Sequence, residues 1–67
     1  MLLVQAQNFY ERVSGVKHQV SILFQKRRCY IVEVDGEFWS TAETRGEAFD
    51  EVVDILKVYR WSPVPLV

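Results

Sequence analysis

Cys29-Tyr30-Ile31-Val32-Glu33-Val34-Asp35-Gly36-Glu37-Phe38-Trp39-Ser40-Thr41-Ala42-Glu43-Thr44-Arg45-Gly46-Glu47 decides the fold. Tyr30, Val32 and Val34 alternate with other residue types, the period of a half-buried strand rich in β-branched and aromatic side chains. Asp35-Gly36 then predicts a two-residue type I′ turn, because both central positions of that turn need φ > 0. Glu37 to Thr41 returns as the second arm. A tight turn sets Val34 opposite Glu37, Val32 opposite Trp39 and Tyr30 opposite Thr41. One face then carries Tyr30, Val32, Val34 and Trp39, and the other carries Cys29, Ile31, Glu33, Phe38, Ser40 and Ala42. A bulged turn shifts this register by one residue and exchanges the faces of the second arm.

The end of the quoted stretch opens a helix. Thr44-Arg45-Gly46-Glu47 fits a capping box, with the Thr hydroxyl on the third helical amide and the Glu carboxylate reaching back to the cap amide. Ala48, Phe49, Val52, Val53, Ile55, Leu56 and Tyr59 follow at helical spacing, with Glu47, Asp50, Glu51, Asp54 and Lys57 on the other side. Trp61-Ser62-Pro63 closes the helix, since the residue before a proline avoids the helical region. Residues 62–67 read as an extended apolar tail kept straight by Pro63 and Pro65.

Upstream of the hairpin, Val20, Ile22 and Phe24 alternate with Gln19, Ser21 and Gln25 and predict a further strand, which ends in the charged turn Lys26-Arg27-Arg28. Leu2, Leu3, Ala6, Phe9, Tyr10 and Val13 recur at spacings of three and four and predict an amphipathic helix stopped at Ser14-Gly15, although Leu2-Leu3-Val4 has no clean cap and equally begins a strand. The expected order is α-β-β-β-α, an α+β two-layer sandwich of a three-stranded antiparallel sheet and helices on one face, or β-β-β-α without the first helix.

The order, and the run from Tyr30 to Gly36 followed by Thr44-Arg45-Gly46-Glu47-Ala48, resembles the double-stranded-RNA-binding domain over about residues 2–60. In that family the helix start is rich in lysine; Arg45 and Ala48 match a basic and a small position, while Gly46, Glu47, Asp50 and Glu51 depart from the pattern. The acids would repel phosphates, so the resemblance implies a member that binds protein. The hairpin leading into Thr44-Arg45-Gly46-Glu47-Ala48-Phe49 is also similar to the small sheet-plus-helix antitoxin domains of the HicB type.

Composition narrows the function. Sixty-seven residues make one domain. A core this small rarely gives more than about 3–5 kcal/mol of net stability without a staple, a metal or a partner. Cys29 is the single cysteine and His18 the single histidine, so neither an internal disulfide nor a four-ligand zinc site is available, and no cofactor motif is present. The lone thiol and the lack of a signal segment or an apolar span point to a cytoplasmic, non-membrane protein. A nucleophile needs an activating base, and only Cys29 with His18 offers one; without a third orienting group the pair predicts no enzyme.

The net charge of −1 conceals two opposed halves: residues 1–32 hold five Lys/Arg and one acid, and residues 33–67 hold three Lys/Arg and eight acids. The expectation is a non-catalytic interaction or regulatory module that forms a homodimer, with Trp39, Glu47, Glu51, Asp54, Trp61, Val64 and Leu66 as the partner-binding residues. The alternative is nucleic-acid binding through Lys26, Arg27 and Arg28, with Arg12 and Lys17 adding to a modest basic patch.

Overall fold

A computed structural model describes residues 1–26 and 29–65. The chain forms β1 (Leu2–Tyr10), β2 (Lys17–Gln25), β3 (Cys29–Val34), β4 (Glu37–Ala42) and α1 (Arg45–Tyr59). The strands make one antiparallel sheet in the order β1-β2-β3-β4, and α1 lies on one side of it, chiefly against β3 and β4. The architecture is α+β, but the expected α-β-β-β-α order with a three-stranded sheet is corrected to β-β-β-β-α with four strands.

The correction falls on residues 2–10. Of the apolar residues that suggested a helix there, Leu2, Leu3, Ala6 and Val13 are exposed and only Phe9 is fully buried. As a strand the segment instead satisfies its backbone along β2, from Leu2 opposite Phe24 to Tyr10 opposite Lys17. A bulge at Val4, between the Leu3 and Gln5 pairs, breaks the period of two. Beyond it Gln5 and Gln7 take the helix side of an edge strand that α1 does not cover, which erases the apolar alternation by which strands are read.

The central hairpin forms as the turn residues require. Asp35 has φ 53° and Gly36 φ 82°, the two positive angles of a type I′ turn, and Val34 faces Glu37. The predicted register then fails one residue further on. Val32 pairs with Ser40, not Trp39, and Tyr30 pairs with Ala42, not Thr41, because the extra residue is Trp39, inside β4 and outside the turn. Trp39 still packs against the core side with Tyr30 and Val34, while Ala42 and Ser40 move to that side as well. The Ser40 hydroxyl is buried there without a hydrogen-bond partner among the described residues.

The core joins Phe9, Val20, Ile22, Val32 and Ala42 of the sheet to Ala48, Val52 and Ile55 of α1, closed by Trp61. Thr44 has extended φ and ψ, and its hydroxyl accepts from the Glu47 amide at 3.1 Å. The Glu47 carboxylate accepts from the Glu43 amide, one residue before the cap and not the cap amide itself. Thr44→Ala is expected to cost about 1 kcal/mol, read as a lower urea midpoint with unchanged slope. The helix ends at Arg60, whose φ of 56° turns the chain, and the Arg12 Nε donates to the Arg60 carbonyl at 2.8 Å. Ser62 then bridges back to Tyr10 through two backbone hydrogen bonds of 2.8 Å.

Candidate functional site

The densest polar constellation gathers on His18, at the start of β2. The loop from Glu11 to Val16 is closed by the Gly15 amide on the Glu11 carbonyl and the Glu11 amide on the Val16 carbonyl, both at 2.9 Å. Gly15 supplies the positive φ this loop needs, at 75°. The Ser14 hydroxyl donates to Glu11 Oε1 at 2.6 Å, which aims Oε2 at His18 Nε2, also at 2.6 Å. On the other side of the ring, His18 Nδ1 meets Asp35 Oδ2 at 2.6 Å. Asp35 is fixed by the type I′ turn, and its Oδ1 accepts from the Gln19 amide at 2.9 Å.

The ring face is occupied too. Trp61 stacks on His18 at 4.1 Å with the planes 6° apart, Tyr59 stacks on Trp61 at 4.5 Å, and Trp39 meets Tyr59 edge-on at 5.8 Å. An aromatic column therefore runs from β2 through the end of α1 to β4. The hydrogen bonds to Asp35 and then Glu11 raise the His18 pKa above its ordinary 6.5 against partial burial, and the two carboxylate charges add to the rise. Glu11 is held below its ordinary value by the Ser14 hydroxyl and then by His18. Burial pushes the Asp35 carboxyl up, but His18 and the Gln19 amide together hold it below its ordinary value.

With a carboxylate at each nitrogen, the site favours the imidazolium form of His18, which donates on both sides over an indole face. In that protonated form the ring has no free lone pair with which to accept a proton or ligate a metal. The two carboxylates lie at opposite nitrogens and do not converge, and among the described residues no group of three or more His, Cys, Asp or Glu is arranged to hold a metal ion. The constellation is an electrostatic clamp that ties two loops to the segment after the helix.

His18 and Cys29 are not brought together. Cys29 pairs with Gln25, seven residues along β2 from His18, which is about 23 Å at strand rise. The Cys29 thiol points at the Tyr30 carbonyl, 3.7 Å away. The basic residues are spread as well: Lys17 and Lys26 flank opposite ends of β2 and Arg12 is engaged at the helix end, while Arg27 and Arg28 lie outside the described residues.

The residues expected to bind a partner are scattered. Trp39 is half-buried in the aromatic column and Trp61 is buried within it. Glu47 serves the helix cap, Glu51 is half-buried and Asp54 is exposed. Val64 is exposed beyond the Ser62 hydroxyl turn, and Leu66 lies outside the described residues.

The clamp itself was missed by sequence reasoning. Glu11 and Asp35 stand 7 and 17 residues from His18, and only the strand pairing makes them neighbours. The one available signal was Asp at the first turn position, which was read for its backbone alone.

No helix among the described residues is long and apolar enough to cross a membrane. Comparison with protein-family models, with curated proteins and with solved structures gives no match.

Proposed function

We propose that this chain is a non-catalytic protein-interaction module that self-associates through the side of its sheet turned away from α1. The observation that carries this reading is a row of apolar side chains across that side. Leu3 pairs with Leu23 and Leu23 with Ile31, and Ile31 ends opposite Thr41. Phe38, 64 % exposed, stands on the same side opposite Glu33. No element among the described residues packs over this row, and a two-layer domain of this size has little core to spare.

A second copy suits the surface by charge. Its charged strand residues are Lys17 and Glu33, of opposite sign, so a two-fold axis midway between them sets Lys17 against Glu33 of the partner subunit. Four strands at about 4.8 Å spacing and six residues at about 3.3 Å rise give a face of about 400 Å² in plane. That is below the roughly 800 Å² per partner of a standard interface, so the association is weak and concentration-dependent.

Sedimentation equilibrium from low micromolar to sub-millimolar protein tests the reading. The mass is expected to rise above 7.9 kDa with concentration. A monomer throughout overturns it, as does salt-sensitive binding to RNA or DNA by a chain that never self-associates.

A further inference from the structure

The outer edge of β1, which among the described residues only Ser62 meets, points to a second self-association seam. We propose that β1 pairs antiparallel with β1 of a second copy, so that two four-stranded sheets become one continuous sheet. This goes beyond the self-association proposed above by adding a seam at the edge, and it rests on separate observations.

β1 is an edge strand of nine residues, and Leu2–Tyr10 contains no charge and no proline. Natural sheets guard such edges with charges, proline, short strands or bulges, because an open row of backbone groups recruits another strand. The opposite edge is guarded in that way: β4 is six residues long, carries Glu37 and is twisted by its bulge at Trp39. Among the described residues the interruptions on β1 are the bulge at Val4 and the stub at Tyr10.

The geometry of the stub shows which groups are free. Both Tyr10 backbone groups bond Ser62, so they point away from β2. By alternation the backbone groups of Asn8 and Ala6 point outward as well. Nothing among the described residues bonds them, because the Ser62 hydroxyl binds the Val64 amide and carbonyl and turns the chain off the edge after a single bridge.

A two-fold axis at Gln7 places Ala6 opposite Asn8 of the partner subunit, so the seam is two such pairs, each exchanging both of its backbone hydrogen bonds, and it stops short of Tyr10, whose groups Ser62 holds. A second copy is the occupant the edge favours. An uncharged strand does not repel its own duplicate, and antiparallel pairing is self-complementary under a two-fold axis. Combined with contact through the bare sheet faces, the edge seam closes four copies into a sandwich of two eight-stranded sheets.

Ala6→Pro tests the seam. The proline removes an amide that faces outward and none that bonds β2, a position on an edge strand where proline is accepted. Masses are read by sedimentation for the full chain and the variant, and folding by circular dichroism. A wild-type oligomer whose mass is halved in a folded Ala6→Pro chain supports the edge seam. An oligomer of equal mass in both overturns the seam and leaves the bare-face association standing, whereas a wild-type monomer overturns both.

Should the proline variant fail to fold, amide exchange of the wild-type chain decides instead. Exchange at Ala6 and Asn8 is expected to slow at least about tenfold between dilute and concentrated protein. Equal rates at both concentrations overturn the seam.

Discussion

Phe9→Ala is expected to leave most of the chain unfolded at room temperature. Phe9 is 1 % exposed and is the sole fully buried side chain of β1. It belongs to the buried cluster that also holds Val20, Ile22 and Trp61, and it directly precedes Tyr10, whose backbone receives Ser62. Truncating a buried Phe to Ala costs about 3–5 kcal/mol, part in lost transfer free energy and part in the cavity left behind. A single core of this size supplies about as much in total. The deletion therefore removes the margin, and with it the anchor that holds both the edge strand and the post-helix segment.

Far-UV circular dichroism at dilute concentration checks this, with Leu3→Ala as the control. Leu3 lies on the bare face and its truncation is expected to leave the monomer folded. An amphipathic N-terminal helix would spread the loss over Leu2, Leu3, Ala6 and Phe9; in the observed strand it falls on Phe9 alone. A Phe9→Ala chain that melts cooperatively near the wild-type midpoint would contradict the packing described.

The same residues show what the sequence could and could not reveal. The hairpin and α1 were legible because their signals are local. Asp35-Gly36 specifies its own turn, and Thr44 with Glu47 specifies its own helix start. β1 was illegible because its partner decides it. Leu2 to Tyr10 has no turn chemistry, its bulge at Val4 shifts the alternation, and its helix-side positions include Gln5 and Gln7, which α1 does not reach. The bulge at Trp39 failed for a related reason: the turn was right, but the added residue sits inside β4, where no Gly or Pro announces it. The His18 clamp was hidden because it exists only once β1–β2 and β2–β3 are in register.

That clamp gives the chain a defined response to pH. His18 is raised above 6.5, so its contribution to stability is fully present below 6.5 and is lost as pH rises through the higher native value. Glu11 and Asp35 are lowered from 4.5 and 3.8, so their contributions are present above those values and are lost as pH falls through the lower native ones. The clamp is therefore strongest between about pH 4.5 and 6.5 and weakens on both sides.

The groups that meet the ring come from three segments: Glu11 from the first loop, Asp35 from the β3–β4 turn, and Trp61 from the segment after the helix, with Tyr59 stacked on Trp61. Removing the proton leaves one carboxylate on the remaining N–H, sets the other against a ring lone pair, and leaves an uncharged ring on Trp61, so the clamp weakens. The urea midpoint is expected to fall in the wild-type chain as pH rises from about 6.5 through the higher native value, and to stay nearly level over the same interval in His18→Gln, which keeps a donor but carries no charge. His18 is the single histidine of the chain, so one imidazole resonance reports its titration without ambiguity. A wild-type midpoint that does not move over that interval, or an imidazole that titrates at its ordinary value, would show that the two carboxylates do not hold the ring as an imidazolium.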